Sequence, residues 1–341
     1  MSKDEIFMQR CLELAVLGMA SVSPNPMVGC VIVHENQIIG EGYHQKFGQA
    51  HAEVNAINSV ENKELLTQST VYVSLEPCAH VGKTPACADL LIKIGVKKVV
   101  VACLDPNPLV AGKGIKKLEN AGIEVVTKVL EAQAQELNRR FFVRINKNRP
   151  YIILKWAETA DGFIARSNHS SKWISNSFSR KLVHKWRSEE DAILVGTNTA
   201  FYDNPQLNVR NWVGRNPVRV FMDKDLNLNR KMNLLDQSQP TICYNLYEDE
   251  ELPNLIYAKL SKENFLAEML TDLVEKRNIQ SIIIEGGSNT LRSFLDKKLF
   301  DEIRLFRTPI TFGKGIDSPR PAGSLFSQEK IFEDILLVYR N

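Results

Sequence analysis

The chain has 341 residues, 44% hydrophobic and 24% charged, with 43 basic side chains against 40 acidic ones and a formal charge of +3. Those proportions describe a folded globular chain long enough for two domains. They exclude extensive disorder and the charge excess that a nucleic-acid or membrane surface would attract. No stretch approaches the ~20 apolar residues of a membrane span. Asp4, Glu5, Arg10 and Glu13 break any secretory leader, and six thinly spread cysteines predict individual thiols rather than a disulfide framework. The expected location is the cytoplasm.

Ser2-Lys3-Asp4-Glu5 reads as a capping box, and Phe7, Cys11, Leu14 and Gly18 continue it at helical spacing. Val28 to Val33 is a buried-strand run, with Gln37 to Gly42 as its hairpin partner. Ala50 to Val60 is helical, Thr70 to Leu75 a strand and Ala86 to Ile94 a helix. Val96 to Ala102 is a strand, Ile115 to Ala121 a helix closed by Gly122, and Val125 to Val129 the last strand. This alternation predicts an α/β layer with some parallel pairing. The polar run Asn146 to Arg149, followed by Pro150, is the expected linker. Beyond it, strands are expected at Tyr151 to Lys155, Ala192 to Val195, Val218 to Met222, Ser281 to Glu285 and Glu302 to Phe306. Helices are expected at Ser177 to Ser188, Phe265 to Lys276 and Thr290 to Lys297. Two α/β domains, 1–146 and 150–341, are the expectation.

In the first half, His51-Ala52-Glu53 opens a helix, and Pro77-Cys78 and Cys87 follow. One imidazole and two thiolates make three zinc ligands and leave a fourth position for water, as a catalytic site requires. Cysteines near helix starts favour the thiolate. Glu53, two residues from His51, is placed to move protons rather than bind the metal. This order of His-x-Glu and Pro-Cys is the general signature of zinc nucleobase deaminases. The departure is the spacing: eight residues separate Cys78 from Cys87, where that signature has two.

Ser23 to Gly29, Gly42-Tyr-His44, His51 to Val54, Pro77 to Cys87 and Asp105 to Gly114 resemble the deaminase half of the bifunctional riboflavin-pathway RibD family, which carries the long loop between the cysteines. Ala86 stands where that family commonly has proline. The resemblance implies a cytidine-deaminase-like α/β/α zinc domain. It puts the zinc on His51, Cys78 and Cys87, the proton shuttle on Glu53, and substrate contacts on Asn25, His44, His80 and Lys83. Asn25, between two prolines, also suits a simple turn, and Lys83 suits either an anionic phosphate or solvent.

No G-x-G-x-x-G follows a predicted strand, so a Rossmann site is not supported. Ile282 to Gly287 followed by Ser288 to Ser293 puts glycines between a strand and a helix start. That arrangement serves a phosphate or merely a tight turn. With Leu154 to Gly162, Ser171 to Ser175, His184 to Arg187, Asp191 to Gly196 and Asp203 to Arg210, it resembles the reductase half of the same family, whose fold is similar to dihydrofolate reductase. The family's NADPH contacts then correspond to Ala157, Trp173, Thr199, Asp203, Gly287, Ser288, Asn289, Thr290, Leu291, Arg292 and Ser293. Its substrate contacts correspond to Ser171, Arg187, Leu207, Arg210 and Glu285. Ala160, Ser175 and Lys224 depart from the family pattern, and Lys224 replaces an expected cofactor contact. The implied reactions are deamination of a 2,5-diamino-6-(phosphoribosylamino)pyrimidinone and NADPH reduction of its ribosyl group. The expected partners are that small phosphoribosyl pyrimidine and further copies of the chain, with no nucleic acid and no membrane. A nucleoside or tRNA-editing deaminase fused to an unrelated domain, an inactive scaffold, or a chain with one working activity are the rival readings.

Overall fold

A computed structural model describes residues 1–79, 86–108, 110–170 and 174–341. The chain forms two compact units, Met1–Asn148 and Arg149–Asn341. Among the described residues no helix is long and apolar enough to cross a membrane.

The first unit runs α1 (Lys3–Val16), β1 (Gly29–His34), β2 (Gln37–Tyr43), α2 (Ala52–Ser59), β3 (Thr70–Val73), α3 (Cys87–Ile94), β4 (Lys98–Val101), α4 (Lys113–Asn120), β5 (Glu124–Val126), α5 (Glu131–Leu137) and α6 (Arg139–Lys147). The capping box is present: Ser2 Oγ accepts from the Glu5 N–H, and Glu5 accepts from the Ser2 N–H. One sheet, in the order β2-β1-β3-β4-β5, is antiparallel across β2, β1 and β3 and parallel across β3, β4 and β5.

Strand periodicity of two sorts the side chains onto opposite faces. Cys30, Ile32, Val71, Val73, Val99 and Val101 pack against α2, α3 and α4. Val31, Val33, Tyr72 and Val100 pack against α1, α5 and α6. The result is the expected α/β/α sandwich. The polar run expected as a linker differs: Asn146 and Lys147 are the last residues of α6, and the unit boundary falls at 148/149. Of the α6 residues Phe141 is buried, and Phe142 and Ile145 pack beside it against the same core, so the polar run is the solvent-facing end of an amphipathic helix.

The second unit adds β6 (Tyr151–Glu158), β7 (Phe163–Arg166), α7 (Ser177–Glu189), β8 (Ala192–Gly196), α8 (Thr197–Asp203), β9 (Val218–Met222), β10 (Thr241–Asn245), β11 (Glu250–Leu252), β12 (Leu255–Lys259), α9 (Phe265–Glu275), β13 (Ser281–Ile284), α10 (Ser288–Asp296), β14 (Glu302–Arg307), β15 (Gly315–Asp317), β16 (Ser324–Ile331) and β17 (Asp334–Arg340). Its main sheet has the order β11-β12-β10-β9-β8-β13-β6-β14-β17-β16. From β12 to β14 every pairing is parallel; the edges are antiparallel.

Ile152, Leu154, Leu194, Ile282, Ile284 and Ile303 form the core with Met269 and Leu273 of α9 and Phe294 of α10. On the other face Ile193, Val195, Phe221 and Cys243 pack under Ala200 of α8 and Leu207. Each of the Leu, Ile, Val, Met and Phe side chains among them contributes roughly 1.5–3 kcal/mol on burial. Parallel strands buried on both faces place their carboxyl ends at one rim, where ligands of open α/β sheets bind. The second site lies at that rim.

Candidate functional site

In the first unit His51 is the N-cap residue of α2, extended at φ −73° and ψ 167°, with Glu53 in the first helical turn. That placement lets two residues only two apart converge. Cys87 is the first residue of α3, and Cys78 lies in the connection after β3. His51 Nδ1 stands 3.6 Å from Cys78 Sγ and 3.3 Å from Cys87 Sγ, and all three donor atoms lie within 4.8 Å of one another. Tetrahedral zinc with ordinary Zn–N and Zn–S bonds sets such atoms about 3.5 Å apart, so the donor set fits the ion in chemistry and in spacing.

The Cys87 N–H donates to Cys78 Sγ at 3.2 Å. The Cys87 side chain, His51 and this N–H together hold the Cys78 thiol down at about 4, against its burial. The neighbouring Cys78 thiolate and burial push Cys87 up. Glu53 is buried, and burial followed by the Cys78 charge raises its carboxyl above the usual range, suiting it to hold a proton.

His44 Nδ1 lies 3.0 Å from the Ala50 carbonyl, which can only accept, so Nδ1 carries the proton. Nε2 is then the acceptor for Asn25 Nδ2 at 3.1 Å. Burial keeps this imidazole neutral, its pKa lowered although the Ala50 bond opposes the shift. Its ring meets the His51 ring edge-on at 5.5 Å. Asn25 and His44 are thus a coupled pair beside the metal ligands. His80 and Lys83 lie outside the described residues.

In the second unit a cleft of about 1170 Å³ opens at the carboxyl ends of the parallel strands. Gly286 has φ +107°, Gly287 is the N-cap of α10, and the turn stays tied to β8, whose Gly196 N–H donates to the Gly286 carbonyl at 2.9 Å. A Cβ on Gly196 would lie 2.2 Å from Thr290 Oγ1, so this approach requires glycine. Gly287, Ser288, Asn289, Thr290, Leu291 and Ser293 line the cleft with Ala157, Thr199 and Asp203. A backbone cradle at a helix start, with hydroxyls and an apolar wall, fits a dinucleotide phosphate and ring. Arg292 is not among the lining residues: it is exposed, and its Nη2 donates to the Asp317 carbonyl at 3.4 Å. Trp173 and Ser171 lie outside the described residues.

Arg187, Leu207, Arg210 and Glu285 also line the cleft. Leu207, 2% exposed and at φ +52°, doubles as core. Arg187 grips Glu285 with two hydrogen bonds, and Lys155 approaches the same carboxylate at 3.7 Å. Burial pushes the Glu285 carboxyl up, but the Arg187 and Lys155 charges outweigh it and bring it to about 2. Burial lowers Lys155 in turn.

His184, on the same α7 face, is held near 4 by burial and by the charges of Arg187 and Arg210. Lys155 and His184 join the site only in the structure; in the sequence they are one residue of a strand and the first of the His184 to Arg187 run. Of the departures, Lys224 lines the cleft with Nζ 4.7 Å from the Phe265 ring, and the Ser175 carbonyl accepts from Arg180. Asp161 accepts the Phe312 and Gly313 N–H groups and is a turn residue.

Residues 1–103 match the cytidine and deoxycytidylate deaminase zinc-binding region, and residues 150–333 match the RibD C-terminal domain. The riboflavin biosynthesis protein RibD of Aquifex aeolicus is 44% identical over 319 residues, covering 92% of this chain and 89% of its own; that of Escherichia coli is 36% identical over 330 residues, covering 91% and 89%. The solved diaminohydroxyphosphoribosylaminopyrimidine deaminase/5-amino-6-(5-phosphoribosylamino)uracil reductase of Thermotoga maritima superposes with TM-score 0.90 at 38% identity, covering 99% of this chain and 98% of that one. The Acinetobacter baumannii RibD structure gives TM-score 0.91 at 37% identity with the same coverage.

Proposed function

The chain belongs to the RibD family of riboflavin biosynthesis, bifunctional enzymes with a zinc-dependent deaminase and an NADPH-dependent reductase, and from that premise we propose how its own residues divide the two steps. Residues 1–146 carry the deamination and 150–341 the reduction. The first substrate is 2,5-diamino-6-(5-phosphoribosylamino)pyrimidin-4(3H)-one, which loses its 2-amino group to give 5-amino-6-(5-phosphoribosylamino)uracil. The second step turns the ribosyl into a ribityl side chain.

His51, Cys78 and Cys87 would hold one zinc ion. When bound, zinc supplies the Lewis acidity that makes water a nucleophile near neutral pH. Glu53 takes a proton from the attacking water and delivers it to the departing amino nitrogen, which leaves as ammonia. Asn25 and neutral His44 orient the pyrimidine, with His80 and Lys83 assigned to the same pocket on their motif positions.

In the cleft, Ala157, Trp173, Thr199, Asp203 and the turn from Gly287 to Leu291 with Ser293 would hold NADPH. When bound, NADPH supplies the hydride that reduces C1 of the opened ribose. Arg210 offers a planar donor to the substrate phosphate. Arg187 lines the same pocket while fixing Glu285, and Ser171 and Leu207 complete the contact surface. The protein's contribution is orientation. A cytoplasmic location and a homo-oligomeric assembly belong to the same proposal.

The observation that carries this reading is the meeting of His51, Cys78 and Cys87 with Glu53 buried beside them. One coupled assay tests it. Zinc-loaded protein receives the diaminopyrimidinone phosphoriboside, and ammonia and NADPH absorbance are followed together. Ammonia release without NADPH, then NADPH loss only after deamination, is the expected result; no ammonia from zinc-loaded protein overturns it.

A further inference from the structure

Glu76 is a buried carboxylate that neither step uses. It stands two residues before Cys78, and its own N–H donates to the Cys103 carbonyl at 3.0 Å, continuing the β3–β4 pairing. Its side chain accepts four backbone N–H groups. Oε2 takes Gly112 at 2.9 Å and Asp105 at 3.3 Å; Oε1 takes Gly114 at 2.9 Å and Ile115 at 3.3 Å. Three of these donors belong to the start of α4, whose N-cap Gly112 has no side chain to cap it. A carboxylate is the strongest acceptor for such orphan donors, and its charge suits that end of the helix.

The same helix start is pressed against the connection that carries Cys78. A Cβ on Gly114 would lie 2.0 Å from the Pro77 carbonyl oxygen. The Asp105–Gly114 motif thereby gains a physical reading: its glycines let α4 dock on Glu76 and Pro77, and its helix N-terminus is already filled by a protein carboxylate.

Cys78 is gripped from the other side as well, since its Sγ and carbonyl oxygen accept the Cys87 and Ala88 N–H groups at 3.2 and 3.1 Å. We propose that Glu76 is a positioning residue of the metal centre: by binding α4 it fixes the Pro77 backbone, and with it the direction in which Cys78 Sγ projects toward His51 Nδ1 and Cys87 Sγ. This rests on the zinc-deaminase reading of that site.

The test uses full-length Glu76→Gln and Glu76→Asp, and separately Gly114→Ala with Glu76 intact. Zinc affinity is measured against a competing chelator and site geometry by the thiolate absorption of the cobalt-substituted protein. NADPH-dependent reduction in the same sample reports on the rest of the chain. Glutamine would turn an N–H₂ group toward backbone donors. It is expected to weaken zinc binding ten- to a hundred-fold and alter the cobalt spectrum, with reduction within two-fold of wild type. Aspartate, charged but shorter, falls between, and Gly114→Ala reproduces the glutamine spectrum.

Wild-type zinc affinity and cobalt spectrum in Glu76→Gln, even with a lowered melting temperature, would make Glu76 a helix cap and overturn the proposal. If Glu76→Gln does not fold, Glu76→Asp and Gly114→Ala decide on the same readouts. A wild-type chain that binds no zinc overturns the underlying reading instead, so the two failures are distinguishable.

Discussion

Arg187 and Glu285 meet edge to edge at the carboxyl end of the parallel sheet, Nε to Oε1 at 3.0 Å and Nη2 to Oε2 at 2.8 Å, with Lys155 3.7 Å from the same carboxylate. One carboxylate with little exposure thus holds two cations, Arg187 buried and Lys155 half-buried. Glu285→Gln leaves both cations without it, and the uncompensated charge is expected to cost about 3 kcal/mol of stability in the second unit. NADPH oxidation should fall more than ten-fold while ammonia release is unchanged. A melting curve and the two assays on one sample check this.

Arg210 stands differently. Its guanidinium bonds to Asn208 Oδ1 at 3.1 Å and is exposed at the cleft mouth. Arg210→Ala should weaken binding of the phosphosubstrate by about 1.5–3 kcal/mol, the range of a hydrogen bond to a charged group, and leave NADPH affinity unchanged. Titrations of each ligand separate the outcomes; a larger loss for NADPH would move Arg210 out of the substrate pocket.

Stability of the second unit should depend on His184. Its folded pKa of about 4 lies below the ordinary value of 6.5, so between these values the unfolded chain binds more protons than the folded one. Stability therefore falls as pH drops from 6.5 toward 4. Glu285, depressed to about 2, takes its share only below about 4.5. The melting temperature should decline in the upper window, and His184→Gln should flatten that decline without touching the lower one.

Glu53→Gln keeps the shape of the metal pocket and removes the proton carrier. Zinc content should stay at one per chain and deamination should fall by 10²–10⁴, while reduction of pre-deaminated substrate continues. Ammonia release at the wild-type rate would remove Glu53 from the mechanism. Stripping zinc with a chelator should abolish the same step and spare the other.

Gly196→Ala places a methyl group 2.2 Å from where Thr290 Oγ1 now sits. The clash should cost about 1–3 kcal/mol, typical of overpacking. Because Thr290 belongs to the cofactor turn, NADPH affinity should fall with stability. Fluorescence titration of NADPH and calorimetry measure the two effects.

The first site was readable in the sequence because its chemistry is written in few letters: His51, Glu53, Cys78 and Cys87 are residue types with narrow uses, and helix and strand periodicity placed them at element ends. Glu76 escaped notice because its four partners are backbone groups, up to 39 residues away, that leave no side-chain signature. The second site resisted for a related reason. Arg187 and Glu285 are 98 residues apart and meet only because β13 returns between β8 and β6. Helix α6 was hidden by its polar end, since Asn146 and Lys147 belong to its last turn and read in the sequence as a linker. The edge strand β16 is exposed at seven of eight positions and offers no alternation to read.

Among the described residues no strand is shared between the five-stranded and ten-stranded sheets. A cut at 148/149 therefore severs no described strand pairing, and each sheet is complete within its own unit. Joined in one reading frame, the two catalysts are made in equal numbers at every translation event.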